Sequence, residues 1–320
     1  MFNLRRNILI FHQAALGDFV VTFPIALAMG RMFPQSRVMY VTAESKGKLA
    51  ERLLGVDAVD IETGWHVLHG AKPELNDRNR SLVTGAHTMI SFVSSPNDVW
   101  EDNIRSFNPQ ATLIQLSTKP LDDQTQDHIS SALVRQLSRW PAISQAAGQM
   151  LNSVQTRGLT VRRNPTDVVI HPGAGKPDKC WPVEKFVKLV DSLRRSGAGV
   201  RVLLGEVERE RFSADALATL EKSAVVRNPS TYMQLLEEIS QATVFIGNDS
   251  GPGHVAGIIG TPTLALFGTP SFRWKPLGPN VQVIEKESIA KISLDEVLKA
   301  VKELLGKQTN ALVASADDDD

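Results

Sequence analysis

Short apolar runs alternate with segments that carry apolar residues at helical spacing along the first half of the chain. The runs typical of strands are Asn7–His12, Arg37–Thr42, Thr88–Val93 and Ala111–Gln115. The segments typical of helices are Asp18–Phe33, Ser45–Leu54 and Asp127–Leu137. Strands that alternate with helices predict a mostly parallel, doubly wound sheet.

The same alternation starts again after a polar stretch, Gly148–Thr166, which we interpret as a linker. The second set of predicted strands is Asp167–His171, Gly199–Leu204, Val225–Arg227, Val244–Gly247 and Thr263–Phe267. The predicted helices are Val183–Ser196, Arg209–Leu220, Tyr232–Ala242, a helix after Pro252, and Ser293–Leu305. We therefore predict an α/β protein of two Rossmann-like domains, residues 1–160 and 161–308, with a disordered acidic tail at 309–320.

Composition narrows the class of protein. The 320 residues are 42% hydrophobic and 22% charged, as in ordinary globular proteins. The chain has 35 basic residues (Lys and Arg) and 35 acidic residues (Asp and Glu). It therefore lacks the basic excess that is typical of nucleic-acid-binding proteins. The single cysteine, Cys180, rules out an internal disulfide and a cysteine-based zinc site. No apolar run reaches about 18 residues, so we expect no membrane span.

The most informative stretch is Phe245–Phe267, with the sequence FIGNDSGPGHVAGIIGTPTLALF. It predicts a buried strand, a tight loop, a helix start and a second strand, an arrangement that suits a phosphate. Asp249 is the wall of an anion site, a metal ligand or a helix cap, and His254 alone is typical of a core histidine. The concentration of Asp249, Ser250, Gly251, Gly253 and His254 within six positions favours a binding site.

Three further loops follow predicted strands. Asp18, after the first strand, is either a helix cap or a general base. The loop His171–Pro182 is either a solvated surface loop or, through its small residues and Lys179, a ligand site; it lacks the spacing of a Walker A motif. Glu208, at the junction between the predicted strand Gly199–Leu204 and the predicted helix Arg209–Leu220, suits the helix dipole and also suits a ribose hydroxyl.

Together and in this order, these loops resemble glycosyltransferase family 9, the ADP-heptose:lipopolysaccharide heptosyltransferases. ALGDFVVTFP resembles the family's S-L-G-D-x-x-x-x-x-P opening, with Ala15 where Ser or Thr is common. VIHPGAGKPDKCWP resembles its H-P-G-x-G…K-x-W-P element, and GNDSGPGHVAGIIGTPTLALFG its G-x-D-[ST]-G-x-x-H-x-A…G-x-P…x-x-x-F-G signature. The resemblance implies the GT-B architecture, with two Rossmann-like domains facing across a cleft.

The resemblance also implies roles for individual residues. Asp18 matches the family's catalytic base, and Glu208 is the best match for its ribose contact. The residues that match its donor-binding loops are Gly173, Ala174, Lys179, Asp249, Ser250, Gly251, Gly253 and His254. Arg78 and Arg80 are candidates for acceptor phosphates, and solvation of a surface loop explains them as well.

The implied function is inverting, metal-independent transfer of a sugar, a heptose, from an ADP-sugar to a hydroxyl of a saccharide or glycolipid acceptor such as the lipopolysaccharide core. The alternatives are a nucleotide-sugar epimerase of GT-B type and a catalytically inactive nucleotide-sugar-binding protein. We expect no cofactor and no metal, a monomer, and no nucleic-acid partner. The expected location is the cytoplasm, with peripheral contact at the inner face of the membrane as a further expectation.

Overall fold

The computed structural model describes residues 6–119 and 127–317 of the chain, with side chains as far as 306. The chain divides into two compact units, Met1–Ser153 and Val154–Asp320. We call these unit 1 and unit 2. The division falls inside a helix rather than in a linker, because residues 141–157 are helical.

Unit 1 contains a parallel sheet with the strand order β3-β2-β1-β4-β5. The strands are β1 Asn7–Phe11, β2 Arg37–Thr42, β3 Asp57–Asp60, β4 Ala86–Ser91 and β5 Thr112–Gln115. The helices are α1 Leu16–Val20, α2 Phe23–Met32, α3 Glu44–Leu54, α4 Asp77–Thr84, α5 Val99–Phe107, α6 Ile129–Gln136 and α7 Pro141–Arg157. All five residues of β1 are buried, as expected for a central strand covered on both faces.

Two predictions for this part of the chain are wrong in detail. The helix expected at Asp18–Phe33 is two helices, because the Thr22 hydroxyl donates to the Phe19 carbonyl at 2.7 Å and Pro24, in the first turn of α2, cannot donate a backbone hydrogen bond. The linker expected at Gly148–Thr166 begins in α7, which continues to Arg157. The residues around Gly148 are mostly good helix formers, so one glycine does not end the helix.

Unit 2 contains a second parallel sheet with the strand order β11-β10-β9-β6-β7-β8. The strands are β6 Asp167–His171, β7 Val200–Leu203, β8 Val225–Arg227, β9 Ala242–Asn248, β10 Thr263–Gly268 and β11 Val281–Lys286. The helices are α8 Val183–Arg195, α9 Glu206–Arg211, α10 Ala214–Ser223, α11 Tyr232–Ser240, α12 Gly251–Ile258 and α13 Leu294–Asp317. Counted within the unit, this is the 3-2-1-4-5-6 order of the Rossmann fold.

Unit 2 also corrects two predictions. The helix expected at Arg209–Leu220 is α9 and α10, because Ser213 interrupts it and its hydroxyl accepts from the Ala216 N–H at 3.2 Å, which caps α10. The tail expected to be disordered from 309 is helical as far as Asp317, since 307–317 contains alanines and no Gly or Pro. Residues 318–320 of that tail lie outside the described residues.

The strand orders place the functional loops. In unit 2 the chain leaves β6 toward β7 and β8 and later returns to place β9 on the other side of β6. In unit 1 the same reversal lies between β1 and β4. Ligands of open α/β sheets bind beyond the carboxyl ends of the strands at this reversal. The loops after β6 and β9, and the loop after β1, lie at these positions.

Candidate functional site

Two of the predicted loops in unit 2 start from neighbouring strands. β6 and β9 pair in parallel, and His171 at the end of β6 is opposite Gly247 of β9. The loop that follows His171 and the loop that starts at Asp249 therefore leave the same edge of the sheet side by side. This edge is the candidate functional site of unit 2.

An ion pair joins these two loops. Lys179, which ends a 3-10 turn at Pro177–Lys179, places its Nζ 2.5 Å from Oδ2 of Asp249. The Asp249 side chain is 16% exposed and that of Lys179 is 42% exposed, so the lysine remains open to solvent. An ammonium at this place can contact phosphate oxygens, and the carboxylate can accept hydrogen bonds from sugar hydroxyls.

Glu208 lies against the first loop. Its Oε2 accepts a hydrogen bond from the Gly205 N–H at 2.7 Å, which caps α9. Its Oε1 lies 3.9 Å from Nε2 of His171, and a Cβ on Gly173 would be 1.7 Å from that oxygen. The capping contact predicted for Glu208 is therefore observed, and the absence of a side chain at Gly173 leaves room for its carboxylate beside the first loop.

His171 connects Glu208 to the loop after β9. Its Nδ1 lies 3.4 Å from the Ser250 hydroxyl, while its Nε2 points toward Glu208. Burial lowers the pKa of His171, and the nearby Glu208 carboxylate opposes that shift. A neutral imidazole at neutral pH can bridge a hydroxyl and a carboxylate without adding a buried charge.

The remaining predicted residues of the signature lie in or beside α12. Ser250 is the residue before this helix, and Gly251 is its first residue. Gly253 and His254 are buried in the helix, and His254 is 2% exposed. The structure therefore brings Asp249, Ser250 and Gly251 to the open start of α12 and places His254 in its packed body.

Two residues that the sequence analysis did not select hold these loops in place. Asn248 is 1% exposed; its Nδ2 donates to the Pro172 carbonyl at 2.7 Å, and its Oδ1 accepts from the Trp181 N–H at 3.1 Å. Arg211 of α9 donates to the Ala174 carbonyl at 2.9 Å. Asn248 stands beside Asp249 in the motif, whereas nothing in the sequence indicates the role of Arg211.

In unit 1, Asp18 is half-buried in α1, just after β1. The residue that precedes this helix is Ala15, and Asp18 is the third helical residue, so Asp18 is not the N-cap. The capping interpretation is therefore wrong in position. The carboxylate lies in the first turn of α1, beyond the carboxyl end of the central strand.

The two candidate acceptor residues, Arg78 and Arg80, are exposed in the first half of α4, which begins after the cap Asn76. The interpretation as a loop is wrong, because Asn76 accepts from the Asn79 N–H at 2.9 Å and starts a helix there. The Arg80 guanidinium lies 5.1 Å from the ring centroid of Phe107, so it has a packing partner.

Two further features of the described residues concern metal binding and membrane crossing. Within residues 6–119 and 127–306, no three His, Cys, Asp or Glu side chains lie together as a set that could hold a metal ion. Across the helices that the structure describes, none is both long enough and apolar enough to cross a membrane.

The fold and the two loop sites place the chain in a known class. Two Rossmann-like units with these loops beyond their strands define the GT-B fold. A family model, "Glycosyltransferase family 9 (heptosyltransferase)", matches residues 124–301, and the chain belongs to this family. The resemblance seen in the sequence motifs is thereby confirmed.

Individual relatives are similar over different extents. Over 124 residues the chain is 35% identical to lipopolysaccharide heptosyltransferase 3 of Escherichia coli K12. The matched region covers 36% of this chain and 34% of that protein. The chain thus spans about a third of the length of this curated relative. A glycosyl transferase family 9 structure from Veillonella parvula superposes with a TM-score of 0.71 at 19% identity, covering 96% of this chain and 99% of that one.

A second solved structure, E. coli ADP-heptose lipopolysaccharide heptosyltransferase II, superposes with a TM-score of 0.70 at 18% identity. The superposition covers 95% of this chain and 99% of the other. At these identities the structural likeness shows the fold, while family membership comes from the sequence match.

Proposed function

We propose that this chain transfers a heptose from an ADP-heptose donor to a hydroxyl group of a lipopolysaccharide-core saccharide, with inversion and without a metal. The observation that carries the proposal is the cluster at the switch point of unit 2, where Lys179 comes from the loop after β6, Asp249 from the loop after β9 and Glu208 from the first turn of α9. The names of the relatives, which describe heptosyltransferases and ADP-heptose, support the choice of sugar and nucleotide.

The donor contacts follow from the charges of the site. In the proposal, Lys179 leaves Asp249 and contacts the diphosphate, which gains negative charge as ADP departs. Asp249 then accepts from hydroxyls of the sugar. One carboxylate oxygen of Glu208 already accepts a hydrogen bond from the Gly205 N–H, and in the proposal the other oxygen accepts one from a ribose hydroxyl. The N–H groups at the start of α12 add a further positive partial charge.

The acceptor step needs a base. A sugar hydroxyl has a pKa far above neutrality, so its proton must be removed as the oxygen attacks the anomeric carbon. In the proposal, Asp18 takes that proton, the new C–O bond forms at C1, and the C–O bond to the ADP phosphate breaks on the opposite face. This single displacement inverts the configuration at C1. Arg78 and Arg80 are proposed to contact acceptor phosphates.

The rest of the proposal concerns the setting of the reaction. We propose that the protein acts as a monomer in the cytoplasm, where nucleotide sugars are made, and contacts the inner membrane face when the acceptor is lipid-linked. An activity test does not depend on these points, because a soluble core oligosaccharide replaces the lipid-linked acceptor.

The test combines binding and turnover. ADP-heptose is expected to raise the melting temperature more than UDP-sugars or GDP-sugars, because a ligand of the folded state stabilises it by mass action. With a deacylated core oligosaccharide, mass spectrometry should show the addition of one heptose and an equal release of ADP. Asp18→Asn should abolish this transfer and retain ADP binding. A donor altered in place, or binding without transfer in the wild type, would contradict the proposal.

A further inference from the structure

A buried lysine of unit 1 contacts the loop that carries Asp18. Lys46, in the first turn of α3, is 7% exposed. Its Nζ donates a hydrogen bond to the Ala14 carbonyl at 2.6 Å. Ala14 belongs to the short segment between β1 and α1, so the lysine reaches this segment from a helix that starts about 30 residues further along the chain.

The segment that Lys46 contacts is exposed, although the Ala15 carbonyl accepts from the Phe19 N–H at 3.0 Å and α1 buries Leu16 and Phe19. Gln13, Ala14 and Ala15 are all exposed. Ala15 precedes α1 and makes no side-chain capping bond, and α1 itself has five residues. Helices of this length are marginal without tertiary support. The hydrogen bond from Lys46 is therefore a fixed point immediately before the helix that presents Asp18.

Lys46 also interacts electrostatically with residues beside this segment, including Asp18. Burial lowers the pKa of Lys46, and the Asp18 carboxylate opposes that shift. Burial, with the Lys46 charge as a second cause, lowers the pKa of His12 to about 3. The Phe19 ring centroid lies 6.0 Å from the Lys46 Nζ. His12, Asp18 and Phe19 thus lie near an amine whose burial is costly unless it has partners.

We propose that Lys46 is a positioning residue for Asp18. By holding the Ala14 carbonyl, it fixes the turn from which α1 presents the Asp18 carboxylate to the acceptor hydroxyl. This inference rests on the proposed function of Asp18 as the base. An error of about 1 Å in the placement of a catalytic group costs roughly 100-fold in rate, so one hydrogen bond to this turn has a measurable consequence.

The test compares lysines of one helix. Lys46→Met and Lys46→Ala both remove the amine. Met nearly preserves the length of the side chain, whereas Ala does not. An effect that both variants show is therefore due to the lost hydrogen bond. Lys46→Gln keeps an N–H donor and is the conservative variant. Lys48→Met is the matched control, because Lys48 lies two residues further along α3, is exposed, and forms an ion pair with Glu44.

The first readout is turnover. For Lys46→Met and Lys46→Ala we expect kcat to fall roughly 10- to 100-fold, with the acceptor KM and the Kd for ADP within about twofold of wild type. Lys46→Gln should recover part of the loss, and Lys48→Met should match wild type. A kcat equal to that of the control, or a loss shared equally by kcat and ADP binding, would overturn the proposal.

The second readout does not depend on catalysis. Amide hydrogen exchange of residues 14–19 should be faster in Lys46→Met and Lys46→Ala than in wild type, and unchanged in Lys48→Met, because the turn has lost its anchor. Equal exchange in all four proteins overturns the positioning role. If wild type transfers no sugar, the proposed function fails, and the exchange data still decide whether Lys46 holds the turn. If one amine-free variant does not fold, the other provides both readouts.

Discussion

Lys179 Nζ lies 2.5 Å from Asp249 Oδ2, although 70 residues separate them in sequence. The two residues lie at the same edge of the unit 2 sheet. Lys179 is on the loop after β6, and Asp249 is on the loop after β9. In the proposed function, Lys179 contacts the diphosphate of the donor and Asp249 contacts its sugar. The ion pair therefore joins the two loops at this edge of the sheet.

Lys179→Met should weaken ADP binding roughly 10- to 100-fold, because a charge-assisted hydrogen bond is worth about 1.5–3 kcal/mol. Calorimetric titration with ADP measures this change. Lys176→Met is the control, since Lys176 is exposed in the same loop and contributes the same formal charge. Equal dissociation constants for the two variants would rule out a phosphate contact at Lys179.

Gly173→Ala should disturb Glu208, while Gly175→Ala, in the same loop, should not. A Cβ on Gly173 would lie 1.7 Å from Glu208 Oε1, so the carboxylate must move and its hydrogen bond to the Gly205 N–H is strained or lost. A Cβ on Gly175 meets nothing within 4 Å. We expect Gly173→Ala to lose about 1–3 kcal/mol of stability and part of its ADP affinity.

Thermal unfolding with and without ADP measures both effects in one experiment. The control variant should keep the melting temperature and the ADP-induced shift of wild type. If Gly173→Ala and Gly175→Ala behave alike, the space at Gly173 is not what admits Glu208.

The sequence predicted the strands at the centre of each sheet and the edge strands β5 and β8, and it missed the other two edge strands, β3 and β11. β1, β6 and β9 are continuous apolar runs because helices cover both faces, so their sequence signal is strong. β3 has four residues with the sequence DAVD, and β11 is only partly buried along its whole length. Such short or half-exposed edge strands have no clear period of apolar residues.

The same reasoning explains what the sequence predicted of the site. Asp249, Lys179 and Glu208 were found because they occur in motifs with turn-forming neighbours, and the structure places all three at one sheet edge. The roles of Arg211 and Lys46 depend on hydrogen bonds to backbone carbonyls of other loops. A carbonyl is present at every residue, so no residue type in the sequence marks its partner.

Asn248→Ala should destabilise unit 2 by about 2–4 kcal/mol, because it leaves the buried Trp181 N–H and Pro172 carbonyl without their partner. Unfolding in urea measures the change. Asn280→Ala is the matched control, as Asn280 is exposed and its side chain donates a hydrogen bond of 3.2 Å to the Gly260 carbonyl. The control should lose less than about 1 kcal/mol. Similar losses in the two variants would contradict the organising role of Asn248.

His12→Leu should make unit 1 less sensitive to acid. His12 is fully buried, and its pKa is lowered from 6.5 to about 3, first by burial and then by the Lys46 charge. Between these two values the unfolded chain binds a proton at His12 that the folded chain does not. The free energy of unfolding is therefore not reduced by His12 above pH 6.5. As the pH falls from 6.5 toward 3, it decreases by up to about 1.4 kcal/mol per pH unit.

Urea unfolding at pH 7 and pH 4.5 tests this sign. Between these conditions, wild type should lose about 2–3 kcal/mol more stability than His12→Leu. His66→Leu serves as the control, because His66 is an exposed histidine of the same unit, and it should retain the wild-type dependence on pH. His171, whose pKa burial also lowers, is present in all three proteins and keeps some acid sensitivity in each. The same pH dependence in His12→Leu and His66→Leu would show that His12 is not held neutral in the fold.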